Sequence, residues 1–470
     1  MIETTAFAKT DVAVFGLARS GLSSVKALVH GGARVFAWDD NEPNRDAARA
    51  EGAIIKPFAE WPWAKLKAMA LSPGISLTHP EPHAVVLAAR EANVEIIGDV
   101  EIFAREIRSD RNAGARAPIV GITGTNGKST TTALIGHVLT QCGYTAEIGG
   151  NIGKPVLELS PPTAKTIYVL EISSYQIDLS PSLAPDVSVL TNITPDHIDR
   201  HGTLENYASV KARLLTQTAK TGHVCIGVDD PLTSSIYTQL SSSGAAEAVP
   251  VSVGKVLGRG IFVLDGALYD AQGQRAAKVM DLSMATHLPG AHNWQNAALA
   301  YAAVKPFVKD IRAIVEAIAS FPGLAHRMED VGRIGKVRFI NDSKATNADA
   351  AQRALVCFDD IYWIAGGRAK EGGIESLRPQ FERIHKAYLI GEAAADFANA
   401  LSAVPHENAR TLDRAVELAY ADARNSAGIS PVVLLSPACA SFDQFKDYEQ
   451  RGDVFRDLVA RLSAPERQAS

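Results

Sequence analysis

The run Gly121-Ile-Thr-Gly-Thr-Asn-Gly-Lys128-Ser129-Thr130-Thr131 sets glycines at 121, 124 and 127 ahead of a lysine and three hydroxyls. It follows the apolar Pro118-Ile-Val and leads into a helix-like stretch, which predicts a strand, a phosphate loop and a helix in series. Glycines let backbone N–H groups crowd around phosphate, and the following helix adds its positive N-terminal end. In that arrangement Gly124, Thr125, Asn126 and Gly127 surround the phosphates of a nucleoside triphosphate. Lys128 neutralises the outer phosphates, and the hydroxyl of Ser129 or Thr130 holds Mg²⁺. The spacing departs from G-x-x-x-x-G-K-[ST], because Ile122 stands where the first glycine is expected.

Ligands of open α/β sheets gather at the carboxyl ends of the strands, which selects further polar residues. Glu171 closes the apolar run Thr166-Ile-Tyr-Val-Leu and precedes Ser173-Ser174, so it can ligate Mg²⁺ beside the phosphate loop. Asn192, Asp196, His197 and Asp199 follow the next run, Asp186 to Thr191, and can hold a second metal or orient a carbonyl. Asn293 and Asn296 can present amides to an adenine edge, although Asn293 would serve equally as a helix N-cap. His326-Arg327 sits at an expected hinge, where the guanidinium can clamp phosphate or form an interdomain salt bridge. Two polar runs follow strands: Asn341 to Asn347 is either a capped turn or a ligand loop, and Ser436 to Lys446 either admits a small ligand or is a helix N-terminus packed on the sheet.

At 470 residues the chain exceeds a single core, and about three domains are expected. Charged residues at 21% and hydrophobics at 46% indicate neither disorder nor a membrane class. A net charge of −5 leaves no basic footprint for nucleic acid. Cys142, Cys225, Cys357 and Cys439 lack C-x-x-C spacing, which suits a reducing cytoplasm rather than a disulfide framework or zinc site. No run reaches the ~18 apolar residues of a membrane span, and no leader segment is visible. The expected fold is α/β in three domains, 1–112, 113–323 and 324–470. The first and last are Rossmann-like, and the central one is P-loop ATPase-like with a mostly parallel sheet. A polar linker, Ser109 to Pro118, separates the first two. Near the N-terminus, Asp11 to Gly16, a helix over Leu22 to Val29 stopped by Gly31-Gly32, and Ala33 to Asp39 form a βαβ unit. It approximates the dinucleotide fingerprint, with Ala18 in place of the middle glycine. That turn either binds a nucleotide or nucleotide-sugar phosphate or is only a tight connection.

Together the 121–130 loop, Leu170-Glu-Ile-Ser-Ser-Tyr, Asn192-Ile-Thr-Pro-Asp-His-Ile-Asp-Arg, Gly290-Ala-His-Asn, His326-Arg327 and Asn341-Asp-Ser-Lys-Ala-Thr-Asn resemble the Mur ligase family. These are ATP-dependent amide-forming enzymes of peptidoglycan synthesis, and the likeness spans nearly the whole chain. Ser72-Pro-Gly-Ile75, Gly98 to Phe103 and Ser436-Pro-Ala-Cys-Ala-Ser-Phe-Asp-Gln-Phe are similar to the D-glutamate-adding branch. The Asp-Asn-Pro-Arg signature of the diaminopimelate-adding branch is absent.

The resemblance implies that ATP phosphorylates the alanyl carboxylate of UDP-N-acetylmuramoyl-L-alanine and that the amine of D-glutamate attacks the acyl phosphate. It implies Lys128, Glu171, His197 and Lys211 as catalytic residues, with Ser129, Thr130, Glu171, His197 and Lys211 around two Mg²⁺ ions, Lys211 as N6-carboxylysine. ATP would contact residues 124–130 with Asn293, Asn296, Arg327 and Asp342. The nucleotide-sugar would meet Ser20, Asp39, Asp40, Ser72, Gly74, Asn151 and His197. D-Glutamate would meet Thr346, Lys370, Ser441 and Phe442. Tyr448 stands where the family pattern has Phe, and Arg19 where an apolar residue is usual. A cytoplasmic monomer is expected, closing about hinges near 109–117 and 322–328. The competing readings are a nicotinamide-dependent oxidoreductase, which leaves the Lys128 loop unexplained, and an ATP-switched binding module, which leaves Glu171 and His197 without a chemical purpose.

Overall fold

The computed structural model describes residues 1–108, 117–244, 246–369 and 372–467. Residues 109–116 of the expected linker, with the boundary placed at 112/113, and Lys370 lie outside the described residues. The chain forms two compact units, Met1–Phe321 and Pro322–Ser470.

The first unit contains two sheets. One is wholly parallel, in the order β3-β2-β1-β4-β5, from β1 (Asp11–Phe15), β2 (Arg34–Trp38), β3 (Ile54–Ile55), β4 (Leu66–Leu71) and β5 (Glu95–Ile97). The other comprises β6 (Ile119–Thr123), β7 (Thr145–Gly150), β8 (Thr166–Glu171), β9 (Val187–Leu190), β10 (His223–Gly227), β11 (Glu247–Val253), β12 (Ile261–Leu264), β13 (Ala267–Asp270) and β14 (Ala277–Asp281). Its order is β14-β13-β12-β11-β10-β9-β6-β8-β7, parallel except at β12–β13 and β13–β14. β6 is an interior strand, flanked by β9 and β8, and its Val120 and Ile122 are buried and β-branched, as a parallel interior strand requires.

The two sheets share one hydrophobic core, in which Val12, Val14 and Phe103 pack with Ile119, Tyr168 and Leu170. Phe103 meets Tyr168 edge to face at 5.0 Å, Gly98 N–H donates to the Leu179 carbonyl, and Arg108 donates to Asp186. This common core is why the first two regions form one unit.

The helix after β1 runs from Arg19 to His30, beginning earlier than the expected Leu22. Gly16, at φ 84°, reverses the chain immediately after the strand and brings Arg19 and Ser20 into the first helical turn. The helix ends at the expected glycines, where Gly32 has φ 87°.

The second unit carries β15 (Glu329–Ile334), β16 (Val337–Asn341), β17 (Ile361–Gly366), β18 (Ile384–Ile390), β19 (His406–Arg410) and β20 (Val432–Leu435), in the order β15-β16-β20-β17-β18-β19. Only the β15–β16 hairpin is antiparallel. Asn341 pairs with Leu435, so the loops after β16 and β20 leave the sheet side by side. Among the described residues no helix is long and apolar enough to cross a membrane.

Candidate functional site

The phosphate loop connects β6 to the helix Lys128–Gln141, whose N-cap is Gly127 and which has no side-chain cap. The positive end of that helix favours an anion at the loop. Gly124 and Gly127 are required by geometry, at φ 141° and 82°. A Cβ on Gly124 would lie 1.9 Å from Thr191 Oγ1, and one on Gly127 would lie 2.3 Å from Asn296 Oδ1. Asn192 locks the loop from β9. Its Oδ1 accepts from Asn126 N–H at 3.0 Å, its Nδ2 donates to the Asn126 carbonyl at 3.1 Å, and its own carbonyl accepts from Thr125 N–H at 2.8 Å. Lys128 Nζ donates to the carbonyls of Gly124 and Thr125 at 3.1 and 2.8 Å, so its charge stays over the loop.

Glu171 ends β8, which pairs with β6, and it is buried. Its Oε1 accepts from Asn151 Nδ2 at 2.8 Å, whereas Oε2 is buried without a hydrogen-bond partner. A buried carboxylate oxygen left open beside a phosphate loop is a fit for a divalent cation. No group of three or more His, Cys, Asp or Glu side chains suited to a metal occurs among the described residues. Ser129 and Thr130 lie in the first turn of the adjacent helix.

Lys211 sits in the helix Leu204–Thr216 and is 1% exposed. Its Nζ donates to the Gly124 carbonyl at 2.8 Å and lies 4.5 Å from the ring of Tyr207, one turn earlier on the same face. Burial, reinforced by the positive charge of Lys128, holds its pKa well below the usual lysine value. Such a shift favours the unprotonated, nucleophilic amine relative to an exposed lysine. Tyr207 in turn contacts Thr125 through its hydroxyl at 3.2 Å and the ring of His201 at 5.3 Å. His201 stacks on Tyr175 and shares a hydrogen bond with Ser174 Oγ at 2.9 Å, and burial lowers its pKa. His197 has φ 53°, is half exposed, and lies 5.1 Å from the Tyr175 ring.

Lys128, His197 and Lys211 line one cleft of about 460 Å³ with Ser20, Ser72, Gly74 and Asn151. The helix Arg19–His30 meets this cleft at Ala18, Arg19 and Ser20, again without a side-chain cap. A second helix N-terminus thus faces the same cavity. Arg19 donates to the Gly153 carbonyl across the cleft wall. Asp39 and Asp40 are not among the lining residues. Both Asp39 oxygens accept backbone N–H groups, from Leu17 and Asn41, and Arg45 donates to the carbonyls of Asp39 and Asp40.

The helix Ala291–Val304 begins after Gly290, whose φ of 85° makes the turn. Asn293 is therefore not the N-cap that the sequence allowed. It lies in the first turn, and its Nδ2 donates to the Pro289 carbonyl at 2.9 Å. Asn296 is buried, donates to Asn293 Oδ1, and accepts from Thr131 Oγ1 at 3.2 Å, which ties this helix to the phosphate-loop helix.

In the second unit, Asp342 is buried. Its Oδ2 accepts from Ser436 Oγ at 2.8 Å and its Oδ1 from Met328 N–H at 3.2 Å. Burial raises its pKa to about 7 against the opposing hydrogen bond from Ser436 and the charge of Arg327. His326, at φ 62°, hydrogen-bonds Asn341 at 3.1 Å, and burial lowers its pKa. Thr346 is half-buried on the loop after β16, while Ser441 is buried and Phe442 is 65% exposed on the loop after β20.

The sequence did not single out Asp99 or Gln176, although both line the cleft. Asp99, in the first turn of the helix Asp99–Ile107, accepts from the Gln176 side chain, and burial raises its pKa to about 6. Gln176 Oε1 accepts from Ser173 N–H at 3.1 Å and Ser173 Oγ accepts from Gln176 N–H at 3.3 Å, a capping box just beyond Glu171. The S-x-x-Q spacing was the available signal for Gln176. Asp99 lay within the Gly98–Phe103 run of the family likeness, which gave it no role of its own.

The description Mur ligase middle domain matches residues 122–304, and Mur ligase, glutamate ligase domain matches residues 326–439. Among similar curated proteins, the UDP-N-acetylmuramoylalanine–D-glutamate ligase of Phenylobacterium zucineum is 52% identical over 464 residues, 98% of each chain. That of Brucella abortus is 50% identical, again over 98% of each chain. Among solved structures, UDP-N-acetylmuramate-alanine ligase of Thermotoga maritima is similar with a TM-score of 0.57 at 16% identity, over 97% of this chain and 99% of that one. The UDP-N-acetylmuramoylalanyl-D-glutamyl-2,6-diaminopimelate–D-alanyl-D-alanyl ligase of Acinetobacter baumannii gives 0.58 at 17%, over 91% and 90%. At such identities these two show the fold alone.

Proposed function

The chain belongs to the Mur ligase family, and we propose that it joins D-glutamate to UDP-N-acetylmuramoyl-L-alanine in peptidoglycan precursor synthesis, converting ATP to ADP and phosphate. The observation that carries this reading is the single cleft onto which the Lys128 phosphate loop, the buried Lys211 and the Arg19–His30 helix N-terminus all open. Relatives about half identical over nearly their whole length carry the name of this reaction.

A carboxylate is a poor electrophile, so amide formation needs activation. ATP transfers its outer phosphoryl group to the alanyl carboxylate, and the amine of D-glutamate then displaces phosphate from the acyl phosphate. The protein's part is positioning and charge neutralisation. Lys128 and the N–H groups of residues 127–130 hold phosphate oxygens as charge shifts between them. Ser129, Thr130 and the open oxygen of Glu171 would hold Mg²⁺, which when bound supplies further neutralisation. Lys211, whose pKa is lowered by burial, is suited to add CO₂ through its amine with loss of one proton, giving an N6-carboxylysine that places a carboxylate near the phosphates. His197 orients the alanyl end from the cleft rim. Residues 1–112 bind the nucleotide-sugar, 113–323 bind ATP with Asn293 and Asn296 toward the base, and 324–470 present D-glutamate through Thr346, Lys370, Ser441 and Phe442. Arg327 and Asp342 complete the ATP contacts, and the enzyme acts as a cytoplasmic monomer.

The test is ADP release with Mg·ATP and UDP-N-acetylmuramoyl-L-alanine across D-glutamate, L-glutamate, L-lysine and meso-diaminopimelate. Turnover with D-glutamate alone, lost in Lys128→Ala, supports the assignment. Turnover with another of these amino acids moves it within the family.

A further inference from the structure

Arg200 has no part in the chemistry above, yet it is firmly anchored next to it. It lies in the short helix Ile198–His201, directly after His197. Its Nη1 donates to the Gly74 carbonyl at 3.0 Å, and its Nη2 donates to the Ile75 carbonyl at 2.9 Å and the Pro73 carbonyl at 3.4 Å. The guanidinium lies 4.7 Å from the ring centroid of Tyr175. Three successive carbonyls of one loop thus converge on a single planar fork, which an ammonium with one donor centre cannot reproduce.

The loop it grips follows β4 of the first sheet and supplies Ser72 and Gly74 to the cleft, while Arg200 follows β9 of the second. Tyr175, beneath the guanidinium, touches the rings of His197 and His201, and His201 leads through Tyr207 to Lys211 and the phosphate loop. A contiguous set of contacts therefore joins the Ser72–Ile75 loop to the phosphoryl-transfer end of the cavity, with Arg200 as its link between sheets.

We propose that Arg200 is a positioning residue that clips the Ser72–Ile75 loop to the His197 segment and so preforms the nucleotide-sugar wall of the cleft. This rests on the ligase reading given above. The clip acts on the nucleotide-sugar side, since Arg200 donates to no atom of the phosphate loop. Its loss should weaken the sugar nucleotide selectively rather than ATP.

The experiment is calorimetric titration of UDP-N-acetylmuramoyl-L-alanine into wild type, Arg200→Ala and Arg200→Lys, with the KM for ATP and thermal unfolding measured in parallel. Losing a charge-assisted anchor should weaken nucleotide-sugar binding at least about tenfold in Arg200→Ala. Arg200→Lys, which keeps the charge but not the fork, should fall between, and the KM for ATP should stay within about twofold. Unchanged nucleotide-sugar affinity in either folded variant overturns the proposal, as does an equal loss for both substrates accompanied by lower thermal stability. Wild type that binds no nucleotide-sugar overturns the ligase reading itself, and this inference with it.

Discussion

Gly127→Ala tests the account of the phosphate loop through two separable effects. Gly127 has φ 82°, where a Cβ costs about 1–2 kcal/mol in backbone strain. That Cβ would also stand 2.3 Å from Asn296 Oδ1, so the amide must move and its 3.2 Å hydrogen bond from Thr131 is lost. Leaving that buried hydroxyl unpaired costs about 1–3 kcal/mol more. The variant should be destabilised by about 2–5 kcal/mol, and its KM for ATP should rise because the helix N-terminus that faces the phosphates is displaced. In an Asn296→Ala background the steric part disappears, and adding Gly127→Ala should cost only the strain of about 1–2 kcal/mol. Urea denaturation of the four proteins, with ATP kinetics, measures both parts. Wild-type stability and ATP kinetics in Gly127→Ala would refute the geometry, and equal costs in the two backgrounds would refute the role given to Asn296.

Glu171→Gln should raise the Mg²⁺ concentration needed for half-maximal ADP release by about tenfold, since a charged ligand becomes neutral. A Mg²⁺ titration checks this, and chelation should abolish turnover of the wild type. ¹³C-labelled bicarbonate should give a carbamate carbon signal in the wild type that is absent from Lys211→Met. A buried carboxyl with a raised folded pKa loses stability as pH rises. For Asp99, between its ordinary 3.8 and about 6, that loss is about 3 kcal/mol and is complete at higher pH. Asp99→Asn, neutral throughout, should therefore gain stability relative to wild type by about that amount between pH 4 and pH 8 in denaturant titrations.

Local grammar explains what could be read in advance. The phosphate loop was legible because Gly-x-x-Gly followed by Lys-Ser-Thr combines left-handed backbone positions with a cation and hydroxyls in one short segment. The strands that end at Asn341 and Leu435 were legible from the polar runs that follow them. The early start of the Arg19 helix was not, because it depends on the turn angle at Gly16. Asp99 with Gln176 and Arg200 with the Ser72–Ile75 loop were invisible for a different reason. Each pair joins segments far apart in sequence that meet only once the two sheets share a core. Asn192 and Asn296 read as ligand candidates, and in the structure Asn192 holds the phosphate loop while Asn296 ties its helix Ala291–Val304 to the helix that follows the loop.

The central claim is carboxylate activation, and oxygen transfer measures it most directly. UDP-N-acetylmuramoyl-L-alanine labelled with ¹⁸O in both alanyl carboxylate oxygens, turned over with Mg·ATP and D-glutamate, should yield phosphate carrying one ¹⁸O and an amide retaining the other. Unlabelled phosphate alongside ADP would contradict an acyl phosphate and the reaction proposed for this cleft.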